Sequence, residues 1–64
     1  MELNLNKDIY GKTSIERAIR DYGQIAHIHL EEDEHYWRLN FVESKYNMEK
    51  TISEFENYLI EMGQ

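Results

Sequence analysis

Residues 25–42 read IAHIHLEEDEHYWRLNFV. Two alternating runs flank an acidic cluster. In the first, Ala26, Ile28 and Leu30 share one side, and Ile25, His27, His29 and Glu31 share the other. In the second, Trp37, Leu39 and Phe41 oppose Tyr36, Arg38, Asn40 and Val42. A period of two is the signature of a strand with one buried face. The spacing predicts strands over about 24–31 and 35–42, joined by the charged turn Glu32-Asp33-Glu34. So short a connection makes them an antiparallel hairpin.

Three further elements surround this hairpin. Leu3, Leu5 and Ile9 alternate with Glu2, Asn4, Asn6 and Asp8, which predicts a strand over about 2–9. Lys7 interrupts its apolar side, as suits a sheet edge. Ile15, Ala18, Ile19 and Tyr22 step along one helical stripe over about 14–22. Thr13 is placed to cap that helix with Glu16 reaching back, and Gly23 to end it in the left-handed region. Met48, Ile52, Phe55, Leu59 and Met62 form a second stripe over about 48–62. Asn47 is placed as its N-cap and Gly63 closes it.

The order β-α-β-β-α predicts a single small α+β domain over 1–64, a three-stranded mixed sheet with two helices packed on one face. A right-handed crossover makes the first two strands parallel, and strand orders 1-3-2 and 3-2-1 both satisfy it. The inward set is Leu3, Leu5, Ile9, Ala26, Ile28, Leu30, Trp37, Leu39 and Phe41. The opposite face of the sheet is left open, carrying His27, His29, Tyr36 and Arg38.

Composition narrows the functional classes. A chain of 64 residues buries only about 60% of its unfolded surface. That leaves little room for a deep catalytic cavity. There is no cysteine, hence no disulfide, Cys-based zinc site or iron–sulfur cluster. No apolar run marks a signal peptide or a membrane span, so a cytoplasmic protein is expected. Residues 1–23 balance four acids with four bases, whereas 24–64 carry nine acids and three bases, the whole net charge of −6. Phosphate backbones are repelled by such a surface, which argues against nucleic acid.

His27 and His29 on one strand face could share a metal ion with Glu31, or act as an acid–base pair. The spacing lacks the i, i+4 histidines of a helical zinc site, and an open sheet face offers no water-excluding cleft. The acidic 31–34 segment lacks the alternation and glycine of a calcium loop and reads as a solvated turn. Tyr36 and Arg38 are typed like RNA-stacking residues on a sheet, but the acidic surface opposes that use. No metal and no cofactor is therefore expected, and no enzyme activity. Tyr58 and Ile60 lie off the second helical stripe, which favours docking or self-association. A peptide or protein partner, taken on the open face or along a sheet edge, is the expected ligand. Its contacts are placed at His27, His29, Tyr36, Arg38 and Tyr58. The alternative is a homodimer through the open face.

One pattern resembles a known family. Ile9-Tyr10-x-Lys12-x-x-Ile15-x-x-Ala18-Ile19-x-Asp21-Tyr22, a hairpin, and then Phe55-x-Asn57-Tyr58-Leu59-Ile60 are similar to the His-Xaa-Ser system protein D family over about 5–62. These motifs are mostly apolar spacing. The resemblance implies an accessory, non-catalytic role beside radical enzymes that modify a ribosomally made peptide, with the precursor peptide or the enzyme as partner. The family ending tends to carry a terminal Arg, where this chain reads Glu61-Met62-Gly63-Gln64. No catalytic residue carries over.

Overall fold

The computed structural model describes residues 1–63. The elements are β1 (Glu2–Asn6), α1 (Lys12–Asp21), β2 (Ala26–Glu32), β3 (Tyr36–Ser44) and α2 (Met48–Met62). They form one small α+β domain with a three-stranded sheet in the order β1-β3-β2. Both ladders, β1 with β3 and β2 with β3, are antiparallel. The sheet is therefore antiparallel throughout and not mixed as expected: β1 and β2 run in the same direction, as the crossover requires, but never pair, because β3 lies between them. β3 holds the centre for a physical reason. It is the longest strand, and its inward residues Trp37, Leu39 and Phe41 are all buried.

The core follows the predicted stripes. Leu5, Ala26 and Ile28 join the three β3 residues from the sheet, and Ile15, Ala18, Phe55 and Leu59 meet them from the helices. The Phe55 ring stands edge-on to both Phe41, at 5.3 Å, and Tyr22, at 5.2 Å. Such T-shaped pairs add to simple burial because the positive ring edge meets the negative ring face. Leu3 and Leu30 are only half-buried, as outer strands at a sheet rim would be. Trp37 is anchored further, its indole N–H donating to the Tyr10 carbonyl at 2.8 Å.

Several local expectations are corrected. β1 ends at Asn6, not near residue 9. The Asn6 side chain accepts from the Asp8 amide at 2.7 Å, and its carbonyl accepts from the amides of Ile9 and Tyr10. This Asx turn competes successfully with strand continuation. Ile9 is consequently 74% exposed instead of inward. α1 starts at Lys12 with Gly11 as its N-cap and no side-chain cap bond, so the Thr13–Glu16 capping box does not form. The Gly11 carbonyl already accepts from the Ile15 amide, which places Thr13 inside the first turn. Gly23 does not enter the left-handed region. Instead its amide bonds to the Arg20 carbonyl, and the Tyr22 carbonyl then accepts from both Ile25 and Ala26. A Cβ on Gly23 would sit 3.1 Å from the Arg20 oxygen, so close approach is what this position uses. α2 begins as expected, the Asn47 side chain accepting from the Lys50 amide at 3.0 Å.

The β2–β3 ladder contains one irregularity. His27 faces Glu43 while Ile28 faces Phe41, so Val42 is an extra residue on β3. Val42 and Glu43 are both exposed. A bulge of this kind shifts the side-chain alternation by one. It turns Ser44 inward, where its hydroxyl meets the Thr51 hydroxyl at 2.9 Å.

Candidate binding face

The outer face of the sheet is built by register. On one side of β3, Glu2, Asn4 and Asn6 lie opposite Asn40, Arg38 and Tyr36. On the other side, His27, His29 and Glu31 lie opposite Glu43, Asn40 and Arg38. Strand alternation alone therefore brings four of the five expected contact residues, His27, His29, Tyr36 and Arg38, onto one uncovered surface. Neither helix packs there, because both apolar stripes are used against the inner face.

Two patches can be distinguished. Arg38 and Tyr36 border a recess of about 250 Å³ completed by Glu2, Asn4 and Asp33. The Arg38 guanidinium reaches the Asp33 carboxylate at 4.0 Å, with both side chains nearly half-exposed. At that distance the pair is loose, and the guanidinium keeps donors for another acceptor. Asp33 itself is held in place by the amides of His35, at 2.9 Å, and Tyr36, at 2.8 Å. Those two backbone hydrogen bonds, with the positive charge of Arg38 behind them, hold its carboxyl below the usual range. The recess thus offers a fixed anion, a loosely paired cation, an amide and a phenol in one shallow space.

The second patch is the histidine pair. The rings of His27 and His29 lie 4.9 Å apart, tilted by 35°, and both are exposed. Among the described residues no three His, Asp or Glu side chains come together as a metal site would require. The two imidazoles serve better as a flat, amphipathic surface with ring N–H groups at its edge.

Tyr58 is placed elsewhere. It packs on the helical side, its ring tilted against Tyr22 at 5.5 Å and its hydroxyl donating to the Asp21 carboxylate at 2.5 Å. That hydrogen bond to a carboxylate raises its pKa. Tyr58 therefore clips α2 to the end of α1, and does not share a surface with the other four. Ile60, its neighbour off the stripe, is 48% exposed.

The Lys7 ammonium lies 4.7 Å over the Trp37 ring and pairs with Glu32 at 2.5 Å. Hydrogen bonding and charge from Lys7 lower the Glu32 pKa. Lys7 ties the end of β1 to the end of β2 across β3, so the polar break in the apolar pattern is a clasp as well as an edge guard.

No family model, curated protein or solved structure matches this chain. No helix among the described residues is long and apolar enough to cross a membrane.

Proposed function

We propose that this domain is a non-catalytic binding module that takes a peptide or protein partner against the open face of its sheet, with Arg38 and Tyr36 as the principal contacts. The observation that carries this reading is the recess bounded by Glu2, Asn4, Asp33, Tyr36 and Arg38 on a face that neither helix covers. Arg38 can grip a carboxylate through two parallel hydrogen bonds, and Tyr36 supplies rigid amphipathic area at small entropic cost. Glu2 and Asp33 beside them favour a ligand that also brings donors. A peptide, with amides, a carboxylate and side-chain cations along one chain, meets that mixed demand better than a uniformly charged polymer. The histidine pair extends the same face and adds contact area. The resemblance to the His-Xaa-Ser system protein D family gives the partner a class: a precursor peptide or the radical enzyme that modifies it. Iron–sulfur chemistry would then belong to the partner, consistent with a chain that has no cysteine.

The test is a double substitution, Tyr36→Ala with Arg38→Ala. Both side chains are exposed, so the variant folds. Capture from the native cell with the unmodified protein should retain a modifying enzyme or a short peptide, and titration of that partner onto the variant should show at least about tenfold weaker binding. Undiminished binding by the folded variant would remove Arg38 and Tyr36 from the contact and the reading with them.

A further inference from the structure

β2 is an edge strand, and the middle of its free edge, at Ile28 and Leu30, carries no guarding residue. The Asp33 amide bonds to the Tyr36 carbonyl and the Lys45 amide to the Ile25 carbonyl. In an antiparallel ladder, alternate residues turn their backbone groups to the partner strand. Ile25, His27, His29, Glu31 and Asp33 therefore face β3, and Ala26, Ile28, Leu30 and Glu32 turn theirs outward. Of these outward groups, the Ala26 amide is already taken by the Tyr22 carbonyl. Natural edges are usually blunted by lysine, proline or a bulge on the edge strand. β2 has no lysine and no proline, and the bulged residue, Val42, lies on β3. β1, by contrast, is shorter and is followed directly by Lys7.

We infer that β2 pairs edge-to-edge with β2 of a second copy of this chain, antiparallel, with His29 on the two-fold axis. The sequence AHIHLEE is complementary to itself in that one register. Ile28 meets Leu30 of the second copy on the helix-covered side, and Leu30 meets its Ile28. On the open side His27 meets Glu31 of the second copy, an imidazole against a carboxylate, and the symmetry makes that contact twice. The residues whose backbone groups point outward, Ile28 and Leu30, are the ones this register pairs by hydrogen bonds, so pleat and side chains agree. The ladder ends at Ala26 opposite Glu32, where Tyr22 has already capped the Ala26 amide. A groove of about 590 Å³ at this end of β2, with Ile19, Ile25 and Ile28 in its lining, leaves apolar surface beside the junction for the approaching copy to cover. Moving the register by two residues one way sets Ile28 on Ile28 and Ala26 on Leu30 but His27 against His29. The other way sets Leu30 on Leu30 and His29 on Glu31 but Ile28 against Glu32, so only the register centred on His29 keeps both apolar pairs and both imidazole–carboxylate pairs. The contact leaves the Arg38 recess free, since that lies on the β1 side of β3. Two copies joined in this way present one continuous open face twice as wide, with the histidine pairs of both copies at its middle.

The experiment is sedimentation of the native chain across micromolar to millimolar concentrations, beside His29→Lys, His29→Glu and their mixture. His29 is exposed, and both variants should keep the native far-ultraviolet spectrum. The native chain should pass from monomer to dimer. Each variant alone sets like charges across the axis and should dimerise about tenfold more weakly. The equimolar mixture sets Lys against Glu and should recover dimer. A native chain that stays monomeric at millimolar concentration overturns the inference, as do variants that dimerise undiminished or a mixture that does not recover. A second probe needs no charge. His29→Cys gives the chain a single thiol, and opposed side chains in a close antiparallel pair stand about 4.5–5.5 Å apart at Cβ. Mild oxidation should link it rapidly to dimer, and a thiol that stays free would equally sink the proposed axis. Tyr36→Ala with Arg38→Ala should dimerise like the native chain, which separates failure of this contact from failure of the partner-binding face.

Discussion

Thr51 is 2% exposed and is the one buried polar residue among the described residues. Its hydroxyl donates to the Asn47 carbonyl at 2.9 Å and meets Ser44 at the same distance. Ser44 in turn donates to the Tyr46 carbonyl. The loop between β3 and α2 is thus held by two hydroxyls sharing a small network. Thr51→Val keeps the shape and removes the hydroxyl, and should cost about 1–2 kcal/mol in a denaturant titration. Asn47→Ala removes the adjoining cap and should cost about 1 kcal/mol. The two sites share one turn, so their combined effect should depart from the sum. Asn47 was legible from its type and place before an apolar stripe. Thr51 was not: it lies on the buried face of α2, four residues before Phe55, but a stripe read from apolar residues passes over a hydroxyl, and only the bulge that turns Ser44 inward gives that hydroxyl its partner. The contact residues divide in the same manner. His27, His29, Tyr36 and Arg38 share a face because parity along a strand is a local property. Tyr58 could be placed only once the angle between the helices was known, and that depends on how Phe55 and Tyr22 pack.

At the scale of elements, what the sequence concealed lies at the ends. All five elements were readable from periodicity. The early stop of β1 was hidden because Ile9 continues the alternation, while Asn6 and Asp8 carry the turn chemistry that overrides it. The start of α1 was hidden because Thr13–Glu16 imitates a capping box two residues too late. The β2–β3 turn has a consequence in acid. Asp33 and Glu32 both have carboxyls held below their ordinary range, by backbone amides in one case and Lys7 in the other. A group whose folded pKa is depressed contributes stability above its unfolded pKa, and that contribution is lost as pH falls through the folded value. The turn should therefore keep its structure through neutral and mildly acidic solution and loosen only below the usual carboxylate range. Amide exchange at His35 and Tyr36, followed by nuclear magnetic resonance down an acid titration, should rise there and not nearer neutrality. Both groups lie at the surface, so the change should be local to the turn.

At the scale of the whole molecule, the fold rests on few side chains. A domain of this size draws only about 3–5 kcal/mol from its core. Leu39 is fully buried at the centre of the central strand. Removing such a side chain costs about 2–5 kcal/mol. Leu39→Ala should therefore be largely unfolded at room temperature, visible as lost far-ultraviolet signal, whereas Val42→Ala, 52% exposed on the bulge, should be nearly silent. The strand order also sets a schedule. Glu2 pairs with Asn40 and Asn6 with Tyr36, so β1 is the first strand to be synthesised and has no neighbour in the sheet until β3 exists. The β2–β3 hairpin, closed by a short turn, can zip as soon as it emerges. During translation β1 therefore has no sheet partner until β3 has emerged. A strand that pairs only with β3 is the one most easily lent out: at high concentration during refolding, β1 of one molecule can complete the hairpin of another, and because a borrowed β1 brings its own Lys7 clasp, only the short covalent tether through α1 favours the chain's own hairpin.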